Sequence, residues 1–145
     1  MPPELKLYAI CSSVLTLQML FLGALTAAVR AKRMGLLNPE DSKVSYDGAT
    51  LLEGGEHPDT ARVQRAHRNL LESLPLFFAL GGIYVATGAP ALGATICFIT
   101  FTAARVLHTI VYLKALQPWR TMFYGIGALS LIAQVVLILL TVFKN

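Results

Sequence analysis

The chain is 145 residues long, 55% hydrophobic and 14% charged, with a mean hydropathy of +0.61. That length allows one domain, and the composition lies well outside the range of soluble domains, so the chain reads as a polytopic membrane protein. Its net charge of +4 does not indicate nucleic acid, because Arg and Lys gather beside apolar runs and form no aromatic-interleaved basic strip.

The first predicted element is a helix over about residues 5–33. Its apolar stretch, Leu7 to Val29, is longer than a secretory signal core of about 7–15 residues. It runs into Arg30-Ala31-Lys32-Arg33, which reads as stop-transfer, so the segment is expected to be a retained helix. Gly35 and Asn38-Pro39 mark its end. A polar, Gly-rich connector follows over about residues 34–59, in which Gly48, Gly54, Gly55 and Pro58 are expected to break any regular element. A connector of about 25 residues is long for a compact domain and points to a functional role.

The second helix is predicted over 60–87, opening on an Asp or Thr cap within His57-Pro58-Asp59-Thr60 and kinked at Pro75, which lacks a backbone donor. Gly88-Ala89-Pro90 turns the chain into a third helix over 91–116. Gln117-Pro118 ends that helix, and a fourth runs over 119–143. Each carries a run long enough to cross a bilayer, which takes roughly 20 apolar residues. The resulting fold class is all-α integral membrane, a four-transmembrane-helix bundle in a single domain over 1–145.

Cys11 and Cys97 fall inside separate apolar runs with no metal ligands beside them, and read as buried thiols. Tyr8 and Tyr46 read as interface aromatics, and Tyr84 as a packing or interface residue. Arg and Lys crowd the first and third loops, against Lys6 and Lys144 at the other face. The positive-inside rule then puts those loops in the cytoplasm and both termini on the opposite side. Lys32, Arg33, Lys43 and Arg62 read as solvated or headgroup-facing cations, since basic juxtamembrane clusters attract anionic lipid.

Ionisable residues inside a span are costly, so each calls for a partner, water or a function. Arg65, Arg68, Asn69 and Glu72 stand at i, i+3, i+4 and i+7 on the second helix, and Arg105, His108 and Tyr112 repeat the pattern on the third. Arg120, Thr121 and Tyr124 open the fourth helix, and Arg30 closes the first. These faces are expected to meet in a wet cationic cleft, suited to a small ligand with two carboxylates and one ammonium. Arg105 and Glu72 would serve equally as a structural ion pair, and His108 as a satisfied polar residue.

The run Arg65-Ala66-His67-Arg68-Asn69-Leu70-Leu71-Glu72-Ser73-Leu74-Pro75 resembles the signature of the membrane-associated proteins in eicosanoid and glutathione metabolism, the MAPEG family. Val29-Arg30, Asn38-Pro39-Glu40-Asp41, Arg105-Val106-Leu107-His108-Thr109 with Tyr112, and Arg120-Thr121 with Tyr124 are similar to its branch of microsomal prostaglandin E synthase and microsomal glutathione transferase 1.

The resemblance implies a homotrimer of four-helix subunits with glutathione held between neighbours on the cytoplasmic side. It carries glutathione contacts to Arg30, Arg68, Asn69, Glu72, His108, Tyr112, Arg120, Thr121 and Tyr124. Arg120 is implied as the residue at the sulfur, with Thr121 and Asp41 as further catalytic positions and Arg65, His67 and Arg105 in support. Thr121 stands where the synthase has Ser, and the third loop is one residue shorter.

The implied activity is a membrane-bound glutathione transferase acting on apolar electrophiles from the bilayer, with peroxidase activity on lipid hydroperoxides as an extension. Two other readings stand beside it: a glutathione-dependent isomerase of the prostaglandin E synthase type, and a non-enzymatic lipid-binding protein. No nucleic acid or metal is expected, and either a bacterial inner membrane or the endoplasmic reticulum suits the chain.

Overall fold

The computed structural model describes residues 1–36, 41, 50–51 and 56–144. The expectations attached to Asn38, Pro39, Glu40, Lys43, Tyr46, Gly48, Gly54 and Gly55 fall outside the described residues. Four long helices are present: α1 (Pro3–Lys32), α2 (Pro58–Ala86), α3 (Ala91–Leu113) and α4 (Trp119–Lys144). All four are long and apolar enough to span a membrane. Even the shortest, α3 with 23 residues, reaches about 35 Å at 1.5 Å per residue, beyond the roughly 30 Å of a hydrocarbon core.

The helices run alternately up and down. The turn from α2 to α3 is tight because Gly88 takes φ of +67°, the left-handed conformation that ends a helix without steric cost when no side chain is present. At the other end of α3, Ala115 adopts φ of +58° and Leu116 N–H bonds back to the Val111 carbonyl at 2.9 Å. That reversal, with the cis Gln117–Pro118 bond, delivers the chain to the start of α4.

Several local expectations are revised. His57, not Asp59 or Thr60, caps α2: its Nδ1 accepts from the Asp59 N–H at 3.2 Å, and Pro58 takes the first helical position. Pro75, by contrast, lies inside α2 as expected, and the helix runs on past it to Ala86. Within the connector, β1 (Gly35–Leu36) and β2 (Thr50–Leu51) pair in parallel, Gly35 opposite Thr50 and Leu36 opposite Leu51. The third helix stops at Leu113, three residues short of the predicted end.

Lipid tails are as apolar as leucine, so van der Waals fit and interhelical hydrogen bonds, rather than water exclusion, must hold such a bundle together. Fit is supplied by an aromatic cluster across three helices. Phe77 of α2 stacks on Phe101 of α3 at 4.6 Å with the rings 3° from parallel, and meets Phe98 edge-on at 5.7 Å. Tyr8 of α1 closes on Phe98 at 5.7 Å. Each such pair contributes about 0.5–1.5 kcal/mol beyond area burial.

Tyr8 is packed against α2 and α3. Its hydroxyl donates to the Phe78 carbonyl at 2.7 Å, and its ring lies over Gly81, where an added Cβ would come within 2.5 Å of it. Tyr84 is fully buried and donates to the Pro90 carbonyl at 2.9 Å. Gln18 ties α1 to α3 by donating to the Arg105 carbonyl and to the Thr109 hydroxyl, at 3.0 and 2.6 Å. Cys11 and Cys97 are buried and free.

Candidate functional site

The ends of α3 and α4 that meet at the Gln117–Pro118 turn bring five of the expected residues together. Cations and rings alternate. Arg105 lies 5.3 Å from the Tyr124 ring, Tyr124 stands 6.3 Å from His108, His108 meets Tyr112 at 5.5 Å, and Arg120 lies 4.8 Å over the Tyr112 ring. The α3 members recur at three- and four-residue intervals, which puts them on one face toward α4. Arg105 and His108 are buried, Tyr112 and Arg120 half-buried, and Tyr124 and Thr121 exposed.

Gln117 completes the mouth of this cluster. With its amide turned so that both ends are satisfied, its oxygen accepts from Arg120 Nε at 3.1 Å and Nη2 at 2.6 Å, and its nitrogen reaches the Thr121 hydroxyl at 3.3 Å. Among the described residues, neither Arg105 nor Arg120 forms a salt bridge to a carboxylate.

Arg105 is only 2% exposed. Its Nη1 donates to Asn69 Oδ1 at 3.3 Å, its Nε has no hydrogen-bond partner, and its guanidinium also faces the Phe101 ring. The space for it comes from Gly127, where an added Cβ would approach Arg105 Nε and Nη2 to 3.1 Å.

The α1 and α2 residues form a separate group. Arg30 Nε and Nη2 both donate to Glu56 at 2.9 Å, and Gln64 donates to the same carboxylate at 2.8 Å. The Arg30 hydrogen bond holds the Glu56 carboxyl below the usual carboxylate range, against an opposing push from burial. Arg65, Arg68 and Glu72 are exposed. His67 is half-buried, its ring close to Gly23 of α1, and joins Gln64, Arg68 and Leu71 around a cleft of about 290 Å³. Asp41 is exposed.

The single cleft expected from helical spacing is thus divided within one chain. At about 100° per residue, Arg68 lies opposite the buried stripe of Ala66, Leu70, Ser73 and Phe77, while Asn69 borders that stripe. Asn69 alone of the α2 set bonds into the α3–α4 cluster, and it, rather than Glu72, is the partner of Arg105. Sequence reading missed Glu56, Gln64 and Gln117. The position of Gln117 three residues before Arg120 and four before Thr121 was a usable signal. Glu56, in a Gly-rich connector without periodicity, gave none.

The model of the MAPEG family matches residues 8–140. The chain belongs to the MAPEG family. Among its MAPEG relatives, prostaglandin E synthase of Homo sapiens is 33% identical over 128 residues, which covers 88% of this chain and 82% of that protein. The synthase of Macaca fascicularis matches to the same extent. Microsomal glutathione S-transferase 1 of Homo sapiens is 32% identical over 122 residues, covering 83% of this chain and 79% of that protein. Membership in this family and four apolar helices make the chain an integral, multi-pass membrane protein.

Proposed function

We propose that this protein is a membrane-bound glutathione transferase that joins the glutathione thiolate to apolar electrophiles entering from the bilayer. The observation that carries the reading is Arg120: a cation stacked on Tyr112, oriented by Gln117, and neutralised by no carboxylate among the described residues. A fixed positive charge in a poorly hydrated site favours thiolate over thiol and so generates the nucleophile. The thiol proton leaves to water, the sulfur forms a bond to the electrophilic carbon, and the leaving group departs with its electron pair. Thr121 supplies a hydroxyl beside the sulfur, and Asp41 is assigned to the same catalytic group.

The remaining charges suit the remaining groups of glutathione. Arg30 and Arg68 match its two carboxylates, for which the planar guanidinium offers paired donors. Glu72 matches the ammonium, and Asn69, His108, Tyr112 and Tyr124 the peptide groups. Arg65, His67 and Arg105 support these from behind. Arg68 and Glu72 are exposed on α2 and Thr121 and Tyr124 are exposed on α4. A homotrimer in which α1 and α2 of one subunit face α4 of the next joins these separated halves into one site, on the side of the first and third loops, taken as cytoplasmic.

Similarity to prostaglandin E synthase, 33% identical over 88% of the chain, supports a second reading. In it the thiolate attacks an endoperoxide, the ring opens and glutathione is released again, so that the net reaction is isomerisation.

The deciding experiment adds glutathione to detergent-purified protein and records thiolate ultraviolet absorbance in wild type and Arg120→Ala. A signal in wild type that is lost in the variant is expected; absence of a signal in wild type would sink the assignment. Turnover of a chloronitrobenzene electrophile beside turnover of a prostaglandin endoperoxide separates transferase from isomerase.

A further inference from the structure

A second cationic cleft opens at the same end of the bundle, between α1, α2 and α3, with a volume of about 480 Å³. Its floor is apolar: Leu25 and Val29 from α1, Val63 from α2 and Leu113 from α3. Its rim carries Lys32, Arg33 and Arg62 with Asp59. Asp59 is taken by Arg33, which bonds to it directly, and neither Lys32 nor Arg62 forms an ion pair among the described residues. Two cations with no ion-pair partner among the described residues therefore face a cleft whose inner wall is hydrocarbon, and the first turn of α2 adds the positive end of its dipole.

We propose that this cleft binds one anionic phospholipid, with its phosphate between Lys32 and Arg62 and an acyl chain along Leu25, Val29, Val63 and Leu113. The rim sits where α1 ends and α2 begins, at the depth of the headgroup layer, and the floor continues into the hydrocarbon region. Free phosphate would satisfy the rim and leave the floor bare. A zwitterionic lipid would bring an ammonium into a region that already holds excess positive charge. Arg62 lies about 120° around α2 from Arg68, so the site is distinct from the one assigned to glutathione and does not depend on it. Its consequence is mechanical: a lipid seated there joins the end of α1 to α2 and α3, two residues beyond Arg30.

The test measures the thermal unfolding midpoint of detergent-purified protein on titration with phosphatidylglycerol, phosphatidylcholine or inorganic phosphate, since a ligand that binds the folded state raises that midpoint. Phosphatidylglycerol is expected to raise it saturably and phosphatidylcholine and phosphate to leave it unchanged. Lys32→Gln/Arg62→Gln is expected to lose the response, while Lys6→Gln/Lys144→Gln at the opposite end keeps it. The single variants Lys32→Gln and Arg62→Gln, each expected to weaken binding at least tenfold, serve if the double variant does not fold. An equal response to inorganic phosphate, or an undiminished phosphatidylglycerol response in the rim variants, would overturn the proposal.

Discussion

Arg30 grips Glu56 with two parallel hydrogen bonds, Nε and Nη2 each at 2.9 Å from a carboxylate oxygen. The pair fastens the end of α1 to the segment that leads into α2, and Gln64 holds the same carboxylate from one side. The side chain of Glu56 is 9% exposed and that of Arg30 30%, so water screens the pair only in part. Hydrogen bonds to charged groups in such settings contribute about 1.5–3 kcal/mol.

A pH dependence comes with this contact. The folded-state pKa of Glu56 lies below its unfolded value, so the folded protein binds fewer protons than the unfolded chain in mild acid. The contribution of Glu56 to stability is complete above the unfolded carboxylate pKa and is lost as the pH falls through the depressed folded value. Thermal unfolding midpoints measured against pH should show a steeper acid fall in wild type than in Glu56→Gln. Superimposable profiles would remove Glu56 as a source of that fall.

The same contact bears on ligand binding. Glu56 occupies one edge of the guanidinium that the proposed function offers to a glutathione carboxylate. Glu56→Gln, which keeps the shape and drops the competing charge, is expected to lower the dissociation constant for glutathione, and Arg30→Ala to raise it. Isothermal titration distinguishes the two, and weaker binding in Glu56→Gln would mean that Glu56 orients Arg30 for the ligand instead of competing with it.

Gln117 is a positioning residue for Arg120. Replacing it by Leu removes two acceptor contacts from the guanidinium while leaving the charge in place. The apparent pKa of bound glutathione thiol should rise, by less than in Arg120→Ala, and Gln117→Glu should restore the orientation while partly neutralising the cation. The thiolate absorbance titrated against pH reads both effects. A thiol pKa in Gln117→Leu equal to that of wild type would leave Gln117 with no part in the chemistry.

Close packing of α1 on α2 can be tested at a glycine. An added Cβ at Gly81 would lie 2.5 and 2.7 Å from the Tyr8 ring, whereas among the described residues nothing lies within 4 Å of one at Gly125. Gly81→Ala should destabilise the bundle by about 1–3 kcal/mol, the usual cost of overpacking, and Gly125→Ala should be neutral or better. Unfolding in a denaturing detergent compares the two.

Arg105 separates stability from activity. A buried cation with no ion-pair partner among the described residues gives little to the fold, so Arg105→Met should leave stability within about 1 kcal/mol of wild type or raise it. Turnover should fall, because the cation stands at the inner end of the row that leads to Arg120. Retained turnover in a stable Arg105→Met would make the residue structural after all.

The sequence by itself determined four membrane spans and nearly all their limits, because long, predominantly apolar runs closed by Arg30-Ala31-Lys32-Arg33, Gly88-Ala89-Pro90 and Gln117-Pro118 can do little else in a bilayer. It also picked out the polar residues at helical spacing, since a charge in an apolar run stands out without any structure. Only the tertiary structure decided how each helix is rotated. Spacing gathers Arg65, Arg68, Asn69 and Glu72 onto one broad face, but packing of the Ala66, Leu70, Ser73 and Phe77 stripe turns Asn69 toward Arg105 and leaves the other three outside. Tyr8 is drawn inward for the same reason, by a glycine 73 residues away that admits its ring. Glu56 meets Arg30 from 26 positions away, across the connector. Contacts of that separation depend on where the helices come to rest, which no local pattern encodes.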